Sequence, residues 1–308
     1  MRRVFGRIAL IVSALALSIG PAAASPWPRG KDRLFIATKT NYFKSTSDET
    51  PAGAGGRPFF QRFDGDLYAE YGLFRDLTLG AKVVYGNATF YDGFFESHVD
   101  GVAEIEASVQ YAIFNGRAGA LSVKATGITP TRFEEGGRPG VFSDGLDAEL
   151  RILYGRTLID EPFKVYASAE AGYRRRFGDG ADQVRGDLLV GLQPIRQALV
   201  LLEAQSRMSL RNEAPGGADY DVVILQPSLV YRAARRWSVQ GGVSCEAAGR
   251  NLERGVGYFI ALWTEYLASA TSGEARPGPY FCSWPTATNT PLPRLRTSAP
   301  PSPVKSSS

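Results

Sequence analysis

Strict period-two alternation restricts this chain more than any other feature. It is clearest in DLYAEYGLFRDLTLGAKVVYG, Asp66–Gly86. Leu67, Ala69 and Tyr71 share one side of the first run, with Asp66, Tyr68 and Glu70 on the other. After the polar turn Gly72–Asp76, Leu77, Leu79, Ala81, Val83 and Tyr85 oppose Thr78, Gly80, Lys82, Val84 and Gly86. Side chains that alternate in this way stand on opposite faces of a β-strand. The stretch is therefore a long hairpin with one apolar and one polar face, and versions of it recur along the chain.

The spacing predicts twelve such runs, near 32–46, 57–71, 77–89, 101–113, 119–131, 145–155, 163–175, 183–192, 198–211, 219–232, 236–248 and 254–266. They are longer than the roughly five or six residues of ordinary strands, and long enough for the roughly 9–11 tilted residues that cross a bilayer. Short connections (72–76, 114–118, 156–162, 193–197, 233–235) alternate with longer ones such as 47–56, 90–100 and 132–144, which carry GAGGR and FEEGGRPG. Short turns on one side and long loops on the other are the bacterial outer-membrane pattern. The expected fold is all-β: a twelve-stranded antiparallel up-and-down transmembrane β-barrel with both ends on the periplasmic side. Hydrophobic content of 44% and a mean hydropathy of −0.15 do not oppose this, because half of each strand faces a polar lumen. Tyr71, Tyr85, Tyr111, Tyr154, Tyr173, Tyr231 and Tyr266 suit the lipid–water boundaries.

Residues 1–24 read as a secretory signal peptide: Arg2, Arg3 and Arg7, an apolar run from Ile8 to Ile19, then Ala22-Ala23-Ala24. The barrel is expected over 25–266, after a Pro-containing lead-in at Ser25–Lys31. Residues 267–308 hold eight Pro, eight Ser and five Thr without periodicity and read as a disordered C-terminal tail. A net charge of +4 is too balanced to imply nucleic acid. Cys245 and Cys282 leave room for one disulfide in an oxidising compartment. Cys245, on the Val239–Val243 outward face, reads as a small apolar residue.

Three stretches carry a family resemblance: SPWPRGKDRLFIATKTNYF after the signal, the hairpin LYAEYGLFRDLTLGAKVVYG, and the final GVGYFIALWTEY. Over about residues 25–266 the chain resembles the proteobacterial outer-membrane family named for the meta-pathway of phenol degradation. The resemblance implies a passive channel in the outer membrane of a Gram-negative bacterium, for small solutes of aromatic or other hydrophobic kind. One departure stands out: such barrels end on the last aromatic, and this chain continues past Tyr266.

The inward face is rich in both signs of charge. Candidate lumen-lining residues are Arg62, Asp64, Asp66, Glu70, Lys82, Glu104, Glu106, Lys124, Asp147, Glu149, Arg151, Lys164, Glu170, Arg185, Asp187, Glu203 and Arg207, with Arg174 and Glu246 beside them. One reading is a solute-selective lumen; the other is an ion-pair network that fills a narrow barrel and serves an envelope-maintenance role. Twelve strands lie between the filled eight and the open sixteen. The expected partners are outer-membrane lipids and lipopolysaccharide, the barrel-assembly machinery and small solutes, with no cofactor. Enzymatic activity is not expected. His98, the single histidine, is placed in the loop after the third run. Adjacent Ser97 points away from it, so the serine–histidine constellation of a lipid hydrolase is missing. The acid pairs Glu104/Glu106 and Asp64/Asp66 read as ordinary lumen alternation, and Glu134-Glu135 as solvated loop charge.

Overall fold

The computed structural model describes residues 25–46, 58–91, 94–116, 119–130, 145–215, 217–252 and 254–267. The segment read as signal peptide lies outside them, as do Glu134, Glu135, Cys282 and all of the segment read as C-terminal tail except its first residue, Leu267, which belongs to the barrel. Twelve strands form: β1 (Arg33–Thr46), β2 (Phe59–Gly72), β3 (Leu77–Tyr91), β4 (Glu96–Gly116), β5 (Gly119–Pro130), β6 (Asp147–Ile159), β7 (Lys164–Arg176), β8 (Gln183–Ile195), β9 (Ala198–Ser209), β10 (Asp221–Arg232), β11 (Trp237–Arg250) and β12 (Gly255–Leu267). Each pairs antiparallel with its sequence neighbours, and β1 pairs β12 from Arg33↔Leu267 to Ser45↔Gly255, so the sheet closes into a barrel. Closure satisfies every interior strand ladder without an edge, which a hydrocarbon surround requires.

The two faces separate as alternation dictates. Ile105, Val109, Tyr111, Leu150, Ile152, Leu229 and Tyr231 stand on the outside, each more than two-fifths exposed, while Asp66, Lys82, Glu149 and Gln226 are buried within. A soluble sandwich has the opposite sense, with its apolar side inward. The inversion marks a wall whose outer solvent is lipid.

β6 and β8 run on to Ile159 and Ile195, past the expected 155 and 192, and the largest difference from expectation is at β4. β4 starts at Glu96, not near 101, because the β3–β4 ladder continues upward to Tyr91↔Glu96. A bulge intervenes between Val84↔Glu104 and Tyr85↔Val102, leaving Ala103 as the extra residue. Bulges bend and twist a strand without ending it. The hairpin therefore carries His98 in a strand, not in a loop, opposite Thr89.

A second difference concerns Ser25–Lys31. This lead-in turns into the barrel: Ser25, Pro26 and Trp27 are buried. The Gln110 side-chain amide donates to the Ser25 carbonyl at 2.7 Å and the Ser122 hydroxyl to the Pro26 carbonyl at 2.5 Å. The Asp32 N–H donates to the Gly72 carbonyl at 2.8 Å, fixing the point where the segment leaves β1.

Candidate functional site

The lumen is built in three storeys. At the short-turn end, Trp27 packs with Phe35, Ala37, Tyr68, Ala120, Tyr166, Leu201, Val230, Ala261 and Trp263, an apolar layer drawn from strands all round the barrel. Trp27 meets Tyr166 edge-on at 6.2 Å between centroids, and Phe35 meets Trp263 at 6.0 Å. Gly155 makes room for this seat: a Cβ there would lie 2.4 Å from Pro26 and 2.6 Å from the Trp27 ring. Arg29 is held by an ion pair to Glu70, by stacking 4.0 Å from the Phe35 centroid, and by its backbone N–H donating to Thr78 at 3.1 Å.

Above this layer lies a cavity of about 140 Å³. Lys82, Lys124, Arg151, Arg174, Arg185 and Arg207 line it together with Glu104, Glu106, Glu149, Glu170, Asp187 and Glu203. Cross-strand pairing explains the contacts. Lys82 lies opposite Glu106 in the β3–β4 register and bridges Glu106 at 2.9 Å and Glu104 at 3.4 Å. Arg151 is a hub that holds Glu149, Glu170 and Asp187, the Glu170 contact at 3.1 Å. Arg174 reaches Asp147 at 2.6 Å and Glu104 at 3.5 Å, and Arg185 reaches Glu149 at 3.1 Å. Buried charges persist when paired, and each charge in these contacts has at least one ion-pair partner, across five strands.

Nearer the outside, Arg62 pairs with Asp64 at 2.6 Å, Asp66 accepts from Asn41 at 3.3 Å, and Lys39 stands 4.2 Å over the Phe259 ring. Phe43, Phe60 and Ala88 form a small apolar cluster by the outer mouth, with Phe90 against it. On the rim, Arg250 clamps Asp219 at 2.6 and 2.8 Å and Asp221 at 2.7 Å. The Arg250 guanidinium holds the Asp219 carboxyl below the usual carboxylate range. Burial pushes the neighbouring Asp182 carboxyl up, but the Arg176 N–H, Asn212, Tyr173 and Arg175 outweigh it and bring it to about 2.

Among the residues expected to line the lumen, Arg62, Asp64, Asp66, Glu70, Lys82, Glu104, Asp147, Glu149, Glu170, Glu203 and Arg207 are buried. Glu106, Lys124, Arg151, Arg185 and Asp187 border the cavity, and buried Arg174 and Glu246 also point inward. Lys164 is placed elsewhere. As the first residue of β7 it sits at the short-turn rim, 4.0 Å from exposed Asp160. Parity gives the face of a residue but not its depth. Sequence reasoning missed Ser25–Trp27 and Arg29; the available signal was a tryptophan between two prolines immediately before the first strand.

His98 is solvent-exposed, 2.8 Å from Glu96 and 3.0 Å from the Thr89 hydroxyl. The Glu104/Glu106 pair is spanned by Lys82. No cluster of three or more potential metal ligands is present among the described residues. Cys245 stands on the outer wall, its thiol 3.7 Å from the Leu225 carbonyl.

No family model matches the chain, and no curated protein matches it. Solved structures do. An outer membrane channel from Pseudomonas putida F1 superposes with a TM-score of 0.61 at 14% identity, over 81% of this chain and 100% of that one. This is the fold of an outer-membrane β-barrel. The NanC porin aligns with a TM-score of 0.49 at 9% identity over 74% of this chain and 98% of its own. The transport unit of the autotransporter AIDA-I from Escherichia coli gives 0.49 at 12% identity, over 85% and 98%.

Proposed function

We propose that the protein is an outer-membrane channel for small solutes whose own N-terminal segment occupies the periplasmic end of its lumen. The single observation that carries this reading is the charge-lined cavity of about 140 Å³ stacked directly on a layer that Trp27 completes. A barrel with a purely structural role has no need of internal space, nor of a non-strand segment to fill its end. The likeness to the Pseudomonas putida channel supports the architecture, and the resemblance of the sequence to the phenol meta-pathway family supports uptake of aromatic or other hydrophobic compounds. Such solutes would meet apolar surface at both ends, at Phe43, Phe60 and Phe90 and at Phe35, Tyr68 and Trp263, with an ionic passage between. Placement in a Gram-negative outer membrane, after export by the signal peptide and insertion by the barrel-assembly machinery, belongs to the same reading.

Conductance of the refolded chain in a planar bilayer tests it, with folding verified by the heat-dependent shift in gel mobility. The parent is expected to give small steps. Trp27→Ala opens the apolar layer, and an apolar constriction gates by excluding water, so conductance is expected to rise about tenfold. Silence from both folded proteins would overturn the channel reading in favour of the filled, envelope-maintenance barrel.

A further inference from the structure

Arg185 of β8 and Arg207 of β9 are Cα partners across the ladder. Both border the lumen cavity, with Arg174 of β7 beside them. Arg176 follows two residues later on β7, where that strand reaches the outer mouth. Like charges directly opposite one another on neighbouring strands destabilise a sheet. Several of the nearby carboxylates are shared between two cations. Asp147 serves Arg174 at 2.6 Å and Arg176 at 3.8 Å. Glu149 serves Arg151 and Arg185, and Glu104 serves Lys82 and Arg174.

Two further observations mark an excess of positive potential. Arg176 is only 8% exposed, yet its Nε and Nη1 are buried with no hydrogen-bond acceptor. Tyr220, just before β10, is 1% exposed. Burial pushes a phenol up, but the charges of Arg207, Arg185 and Arg176 and a hydrogen bond with Gln183 bring the Tyr220 hydroxyl below its ordinary value.

We propose that Arg174, Arg176, Arg185 and Arg207, with Tyr220 above them, form a binding site for a small dianionic oxyanion, a dicarboxylate or a phosphate, between the outer mouth and the lumen cavity. Planar guanidinium groups bind both anions in forked pairs, and a dianion brings roughly one negative charge to each of the two facing arginines. The site deepens the channel reading and rests on it in one respect: the lumen is the route by which the anion arrives. It adds a selectivity that the apolar ends do not provide, favouring solutes that carry an anionic head.

Equilibrium dialysis tests the site without requiring any current. The refolded full chain in detergent, at low ionic strength to limit screening, is dialysed against radiolabelled succinate and, separately, inorganic phosphate. Saturable binding is expected, weakened about tenfold or more in the double variant Arg185→Gln/Arg207→Gln. Saturation by succinate alone assigns a dicarboxylate site, and by phosphate alone a phosphate site. Arg207→Lys keeps the charge and removes the fork; it is expected to fold even where double neutralisation does not, and to bind several-fold more weakly. Binding of neither anion, or binding that Arg207→Lys and the double variant leave unchanged, overturns the proposal. A folded protein that binds but never conducts keeps the site and loses the channel reading; one that conducts and never binds loses only the site.

Discussion

Asp182 has the most legible chemistry of any single residue outside the wall. Its carboxylate accepts from the Arg176 N–H at 2.8 Å, the Tyr173 hydroxyl at 2.8 Å and the Asn212 amide at 2.9 Å, so it ties the β7–β8 connection to the β9–β10 connection. With a folded-state value of about 2, below the ordinary 3.8, its contribution to stability is complete above the ordinary carboxylate range. That contribution is lost as pH falls through about 2. Pepsin cleavage beside Phe177 is therefore expected to be slow near pH 4, where the carboxylate is still charged, and to accelerate toward pH 2. Asp182→Asn should be cut at the faster rate throughout, and the ratio of the two rates removes the protease's own pH dependence. A ratio constant with pH would refute the latch. Nothing in the local pattern points to this residue, because GDGADQ reads as a generic polar loop and the partners Tyr173 and Asn212 lie on other elements. The inward charges were readable for the opposite reason, since parity within a strand is a local property. Lys164 marks the limit of that reading, being on the correct parity and at the wrong depth.

At the scale of elements, strands were legible and the segment without periodicity was not. Ser25–Lys31 has no alternation to place it, and its seat is made by glycines on strands far along the chain. Gly155 on β6 is the clearest case, because only a residue without Cβ leaves space for Pro26 and Trp27. Gly155→Val is expected to unseat the segment while leaving β6 in its ladder, since a β-branched residue suits a strand. Bilayer conductance should rise about twofold or more as the apolar layer opens, with the gel shift unchanged. Unaltered conductance in the folded variant would mean that Trp27 does not obstruct the passage. The extended β3–β4 hairpin has a similar cause. The bulge at Ala103 changes the parity of β4, so the upper part no longer matches the alternation below it and reads as loop.

At the scale of the whole molecule, the barrel is a single sheet whose backbone ladders run between neighbouring strands and whose last strand pairs with the first. Arg33 pairs Leu267 and Leu34 pairs Tyr266. Among the described residues the β1–β12 ladder is complete at Leu267. Truncation after Leu267 is therefore expected to leave a barrel with an unchanged heat-dependent gel shift, and failure of the truncated chain to assemble would show that the C-terminal segment takes part in folding. Twelve strands and their order followed from counting alternating runs; the state of the lumen did not, because an ion-pair network and an open passage demand the same inward residues. Arg151 sits among three carboxylates beside a cavity of about 140 Å³, so pairing and internal space occur together in this lumen.

The seam between β1 and β12 has a consequence in time. The strands that meet there are the first and the last to leave the ribosome, so every intermediate short of the final strand has two raw edges. Each edge is a row of unmet peptide groups able to recruit another copy. A nascent chain of this design must be kept from its own kind until its end arrives, and the aromatic-rich β12 that ends the wait is also the strand whose loss would turn a membrane protein into an aggregate.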